Sequence, residues 1–338
     1  MAASRYWILD AHNDYPVTCF EHGRPAPNRS AARSRRPMAL DRTRRGLHTS
    51  LPRMRAGRVG ASYMTVGIRS GLDGLACLRQ FVHMAEQAGD ALVVARSAGD
   101  VQRAVRAGRI ACVLSLESGR ALEGRLEMLE VFAALGVRSL NVVHWDADEL
   151  SLQGTRSPVL PIPPRGRRSI RRGLEGLTPF GRDAVKLANA LGLQIDLAHA
   201  NDRTFDDVIR LSATPPIVSH ACCYALCDWG RNVTDDQIRR LADRGGVVGI
   251  TMVRSFLGYG RVGKETFVDH VCHAVEVGGV DAVGIGTDHD GTTHPVFAHP
   301  GELRDLPDRL RRRGFSAAET AKICHGNFLR ALRAALHG

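Results

Sequence analysis

Short, uninterrupted apolar runs recur along the chain, and between them lie stretches in which apolar residues repeat at helical spacing. The runs are Tyr6–Leu9, Val59–Val66, Ile110–Leu116 (followed by Glu117), Arg138–His144, Leu193–Leu197, Pro216–Ser219, Val247–Met252 and Ala282–Gly286. A strand that is apolar on both faces belongs to a parallel sheet covered on both sides. Helices are predicted through Phe81–Ala88, Leu126–Ala134, Asp235–Ala242 and Phe267–Val277. One more opens at Thr178-Pro179, with threonine as N-cap and proline in the first turn, and stops at Gly192. Eight β-then-α units predict an α/β fold, a closed (β/α)8 barrel. The 338 residues suit it, since such barrels take roughly 250 residues plus insertions. No linker divides the chain, so residues 1–338 are read as one domain with loop insertions at about 20–50 and 145–176. Pro158, Pro161, Pro163 and Pro164 in the second insertion predict irregular backbone there.

Composition narrows the partner classes. A hydrophobic content of 44% with 24% charged residues is that of a globular protein. The net charge of +11 is almost all arginine, Lys186, Lys264 and Lys322 being the only lysines, and the basic residues concentrate in Arg29–Arg45 and Arg165–Arg172. Both stretches are rich in Ser, Pro or Gly and read as solvated loops, so nucleic acid is not expected as a partner. Eight cysteines are scattered without paired C-x-x-C units. Cys222, Cys223 and Cys227 cluster locally, and Cys112 lies in an apolar strand as a small buried hydrophobe. With no secretory segment before the first strand and no lipid-anchor signal at the C-terminus, a reduced cytoplasmic protein without a membrane anchor is expected.

The candidate chemistry sits where the strands end. His12 and Asp14 follow the first strand two residues apart, so in extended chain both side chains project to one side. Glu117 follows the third strand, His144 the fourth, His199 the fifth, His220 the sixth and Asp288 the eighth. In this fold every C-terminal strand end faces one mouth. Desolvating so many ionisable groups together is unfavourable unless a cation compensates. Mixed nitrogen and oxygen donors suit zinc or a similar divalent ion. Five candidates, His12, Asp14, Glu117, His199 and His220, exceed the three protein ligands of a typical catalytic zinc, and two metals bridged by Glu117 fit the count better.

Several segments carry a specific resemblance. They are Asp10–Pro16 (DAHNDYP), His48–Gly60 (HTSLPRMRAGRVG), Leu116–Gly119 (LESG), Gly176–His199 (GLTPFGRDAVKLANALGLQIDLAH), Ser219-His220, Arg231–Val233 (RNV), Gly286–Gly291 (GTDHDG) and Gly326–Arg330 (GNFLR). In these the chain resembles the membrane (renal) dipeptidase family, peptidase family M19, along nearly its whole length. The resemblance implies two Zn2+ per chain, with other divalent ions as alternatives, and a hydrolase acting on dipeptides through a metal-bridging hydroxide. It implies His12, Asp14 and Glu117 on one ion and Glu117, His199 and His220 on the other. His144 would polarise the scissile carbonyl, Arg231 would receive the substrate carboxylate, and Asp288 would handle protons and the substrate amine. It also implies a homodimer as one assembly. The chain departs from the family pattern in Trp145–Glu149, in Thr251-Met252-Val253 and at His289, which leaves the metal shell intact and bears on the substrate. That substrate is expected to be a small dipeptide or amino-acid conjugate, with a D-residue, a modified C-terminal unit or a specialised pathway among the options.

Two other readings compete. Another metal-dependent amidohydrolase acting on a small amide or N-acyl amino acid would typically carry His-x-His on the first strand and a carboxylated lysine. This chain has His-x-Asp, and none of its lysines ends a predicted strand. A non-catalytic basic binding protein would need the arginine stretches to matter more than the strand ends.

Overall fold

A computed structural model describes residues 6–22, 40, 41, 43, 46–145, 147, 150–158 and 161–335. Nine parallel strands form the sheet: β1 (Ile8–Asn13), β2 (Val59–Gly67), β3 (Leu92–Val94), β4 (Ile110–Leu116), β5 (Val137–Asn141), β6 (Gln194–Asp196), β7 (Ile217–Ala221), β8 (Val247–Ile250) and β9 (Val283–Ile285). The order β2-β1-β9-β8-β7-β6-β5-β4 is closed by a direct β2–β4 pairing, which makes an eight-stranded barrel with helices around it. Each of the eight apolar runs supplies one of these staves. The short β3 was not expected from the sequence: it pairs with Ile110–Cys112 at the start of β4, and β5 takes over from Leu114 onward.

Two seams of the barrel are thin. The register of β1 with β9 is the single pair Asp10↔Ile285, continued beyond β9 by the bridge Asn13↔His289, and that of β6 with β7 is Asp196↔Ile217. A buried aspartate crosses each. Asp10 accepts the backbone N–H of Thr287 at 2.8 Å and its hydroxyl at 2.8 Å. Asp196 accepts the N–H of Ser219 at 2.8 Å and of Ala198 at 2.9 Å. Charged acceptors form the stronger class of hydrogen bond, so each carboxylate supplies a connection that the short backbone ladder does not.

The main apolar core lies between the barrel and its helices, with Phe81, Phe132, Phe205, Phe267 and Phe297 among its buried aromatics. A second cluster joins early strand residues Leu9, Ala61, Ile217 and Val247 to Phe328 and Leu332 of the helix Asn327–Ala335, which packs at the strand N-terminal end, opposite the mouth. The helix Pro179–Ala190 starts as expected, Thr178 Oγ1 accepting the N–H of Gly181 at 2.9 Å.

The second insertion corrects an expectation. Residues 164–172 are not irregular but form a helix, Pro164–Arg172. Proline in the first helical turn lacks an N–H that would have no intrahelical partner there, so Pro164 starts a helix instead of breaking one. Nor is this basic stretch a solvated loop: Arg167 and Arg171 turn onto Asp202 and Asp206. Most of the Arg29–Arg45 stretch, and Asp146, Asp148 and Glu149, lie outside the described residues. Among the described residues, no helix is long and apolar enough to cross a membrane. All eight cysteines but Cys272 are buried.

Candidate metal centre

The strand ends bring the sequence candidates into one cluster. Glu117 leaves β4 with its backbone N–H bonded to the carbonyl of Gly67 on β2 at 2.8 Å, which points its carboxylate across the mouth. Its Oε1 lies 3.3 Å from His12 Nε2, 3.2 Å from His199 Nε2 and 3.5 Å from His220 Nε2. Asp14 Oδ1 is 3.3 Å from His12 Nε2, and Asp288 Oδ1 is 4.0 Å from it. The His12 and His220 rings stack at 3.7 Å, and His144 meets His199 edge-on at 4.7 Å. Three overlapping groups can each converge donor atoms on one point: His12, Asp14 and Glu117; Glu117, His144 and His199; His12, His220 and Asp288. Arg231 is buried alongside, donating from Nη2 to the His220 carbonyl at 2.7 Å. All eight sequence candidates thus line one mouth.

A further layer aims these side chains. Ser219 Oγ is 2.8 Å from His220 Nδ1, which leaves Nε2 to face the mouth. Ser157 holds the His199 carbonyl, and His199 itself takes a left-handed backbone, φ 65°. Asp288 (φ 59°) and Asp290 (φ 68°) share that conformation. Left-handed backbone outside glycine costs about 1–2 kcal/mol per residue and clusters at functional sites. Asp290 anchors the turn after β9: it accepts His48 N–H at 2.6 Å and Thr49 N–H at 3.1 Å, and its own N–H donates to His48 Nδ1 at 2.9 Å. Sequence reasoning missed Asp10, Asp196 and Asp290. The signal for the first two was a charged residue inside an otherwise apolar strand; for Asp290 only the acidic turn Asp288-His289-Asp290-Gly291 hints at a role.

The electrostatics favour a cation. Burial drives His199 and His220 well below the ordinary histidine range, with Arg231 beside both, so both rings are neutral at neutral pH, and their Nε2 atoms lie 2.9 Å apart, one donating and the other accepting. Burial also opposes charge on His12, but the carboxylates of Glu117 and Asp14 outweigh it and hold His12 well above that range. Asp288 is pushed well above the usual carboxylate range by burial, with Asp14 and Glu117 adding to the effect against His12. Desolvation lowers His144, and it lowers Arg231 to about 10. Two buried atoms of the cluster, Glu117 Oε2 and His199 Nδ1, have no hydrogen-bond partner among the described residues. Buried polar atoms are nearly always paired, and a nitrogen and oxygen set left open in this way suits a divalent cation.

Comparison with known proteins agrees with this geometry. A family profile for membrane dipeptidase, peptidase family M19, matches residues 3–337. An uncharacterised Klebsiella pneumoniae protein encoded in the pqqA 5′ region is 33% identical over 267 residues, covering 77% of this chain and 93% of that protein. A solved metallopeptidase of family M19, described as dipeptidase AC, is 27% identical with a TM-score of 0.83, over 99% of this chain and 100% of its own. A Rhodobacter sphaeroides metallopeptidase, solved with a phosphinate mimic of the dipeptide L-Ala-D-Ala, is 26% identical with a TM-score of 0.81, over 98% and 99% of the two chains.

Proposed function

The chain belongs to the membrane dipeptidase family, peptidase family M19, and is a metal-dependent dipeptidase; on that premise we propose that it works with two zinc ions held at the barrel mouth. One observation carries the reading: a single oxygen of Glu117 lies within 3.5 Å of three imidazole nitrogens contributed by three other strand ends. A carboxylate so placed suits a bridging ligand, with His12 and Asp14 completing one ion's shell and His199 and His220 the other's. When bound, the ions would supply an activated water and polarise the carbonyl to be cleaved.

The remaining residues act on the substrate. His144, lowered by burial, is neutral at physiological pH and keeps one ring N–H to donate to a developing oxyanion. Arg231 presents a buried guanidinium, a planar fork suited to the substrate carboxylate. Asp288, whose carboxylate lies 4.0 Å from His12 Nε2, can take a proton from the attacking water and return it to the leaving amine. The dipeptide mimic bound by the Rhodobacter protein supports a small two-residue substrate, one with a D-residue at its C-terminal end included.

Purified protein should hold about two zinc equivalents per chain, by the ligand count above. It should turn over members of a panel of L,L and L,D dipeptides, cysteinylglycine and N-acyl amino acids, the dipeptides fastest. Full turnover after exhaustive chelation, or turnover of N-acyl amino acids alone, would overturn the proposal.

A further inference from the structure

We propose that Arg167, on the insertion helix Pro164–Arg172, is a positioning residue that fixes the depth and aim of Arg231. The inference rests on the reading of Arg231 as receiver of the substrate carboxylate. Arg167 is not a surface charge: its side chain is only 12% exposed. Its fork donates from Nη2 to Asp202 Oδ1 at 2.6 Å and from Nε to Asp202 Oδ2 at 3.2 Å. From Nη1 it donates to the backbone carbonyl of Asn232 at 2.9 Å, and the guanidinium lies 4.5 Å over the Tyr224 ring.

The contacts reach two neighbouring loops, one after β6 and one after β7. Asp202 opens the helix Asp202–Leu211, capped by Asn201, three residues after His199. Asn232 is the neighbour of Arg231 and the hub of its loop. Its side chain accepts Cys222 N–H at 3.1 Å and donates to the carbonyls of Cys227 at 2.9 Å and Phe256 at 2.7 Å. The strap leading to the insertion helix lies over the same loop: Ile162 N–H bonds the Asp228 carbonyl at 2.7 Å, and Tyr224 donates its hydroxyl to the Ile162 carbonyl. One guanidinium therefore ties the loop after β6 to the loop after β7, one residue from Arg231. Lysine, a point charge, cannot serve those directions together. An arginine that only receives a carboxylate binds ground and transition states alike, so a displaced Arg231 raises KM and leaves kcat.

The test uses the dipeptide turned over fastest in the panel above and its C-terminal amide as a competing ligand. Arg167→Ala should raise KM for the free acid by at least ~10-fold with kcat within ~3-fold, while the amide's inhibition constant changes by less than ~2-fold. Zinc content should be unchanged, and Arg167→Lys should fall between wild type and Arg167→Ala. Arg231→Ala is the control for the underlying reading. If Arg231→Ala abolishes the preference for the acid and Arg167→Ala leaves it intact, the clamp is refuted and Arg231 stands. If Arg231→Ala leaves the preference intact, the carboxylate reading falls and the clamp with it. Should Arg167→Ala fail to fold, Asp202→Asn, which retains an amide oxygen for the fork, is read by the same acid-to-amide ratio.

Discussion

Adding one methyl group at Gly291 should disable the site without unfolding the protein. A Cβ there would sit 2.2 Å from Asp288 Oδ1 and 2.3 Å from Asp14 Oδ2, where real Cβ atoms essentially never come within 3.0 Å. The turn cannot simply back away, because Asp290 next to it is bonded to the backbone of His48 and Thr49. The two carboxylates must therefore withdraw by about 0.8 Å or more, and a displacement near 1 Å at a reacting centre typically costs on the order of 100-fold in rate. Strain from one surplus methyl group is about 1–3 kcal/mol, which a folded barrel of this size can absorb. Gly291→Ala is expected to lose about 100-fold in kcat, or to lose zinc through Asp14, while keeping its circular dichroism and a cooperative melt. The assay is steady-state turnover beside zinc analysis on the same preparation. Unchanged kcat with full zinc would refute the placement of Asp14 and Asp288 at the reacting centre.

Other expectations follow from the same geometry. In metal-free protein His12 titrates above the ordinary range and carries a proton at pH 7, and zinc needs its lone pair, so zinc uptake should release protons and apparent affinity should rise with pH. Calorimetry in two buffers of different ionisation enthalpy reads this directly; uptake without proton release would contradict it. Asp288→Asn should retain zinc but lose about 100-fold or more in kcat, and unimpaired turnover with both ions bound would remove Asp288 from proton transfer. Phe328→Ala should lower stability by about 3–5 kcal/mol in denaturant titrations, because the ring is buried under Gly284 in the cluster opposite the mouth. A loss below about 1 kcal/mol would mean that this end is loosely packed.

The eight staves were legible because each is covered on both faces and so reads as a plain apolar run, and residues ending those runs had to share a mouth once the barrel was inferred. Leu92–Val94 escaped notice because it is three residues long and only partly buried. The helix Pro164–Arg172 was hidden by its own prolines, since the same residue that ends a helix from inside begins one from its first turn. Of the candidate site, the donors were visible as residue types. Some of the groups that aim them were not, because Asp196 and Asp10 act through bonds to backbone across strands whose pairing no local pattern specifies. Arg167 was invisible for a related reason: one more arginine in a basic stretch gives no sign that Asp202 waits for it 35 positions along the chain.

The narrow join between β1 and β9 has a consequence for assembly. This seam unites the first stave with the last, so it can form only after the intervening chain has folded, and Asp10 with Thr287 fastens it within two residues of His12. Divalent ions gripped there would act as a rivet across the final closure, so chain that has not yet closed its ring would hold them weakly. Loading with metal would then follow closure of the ring.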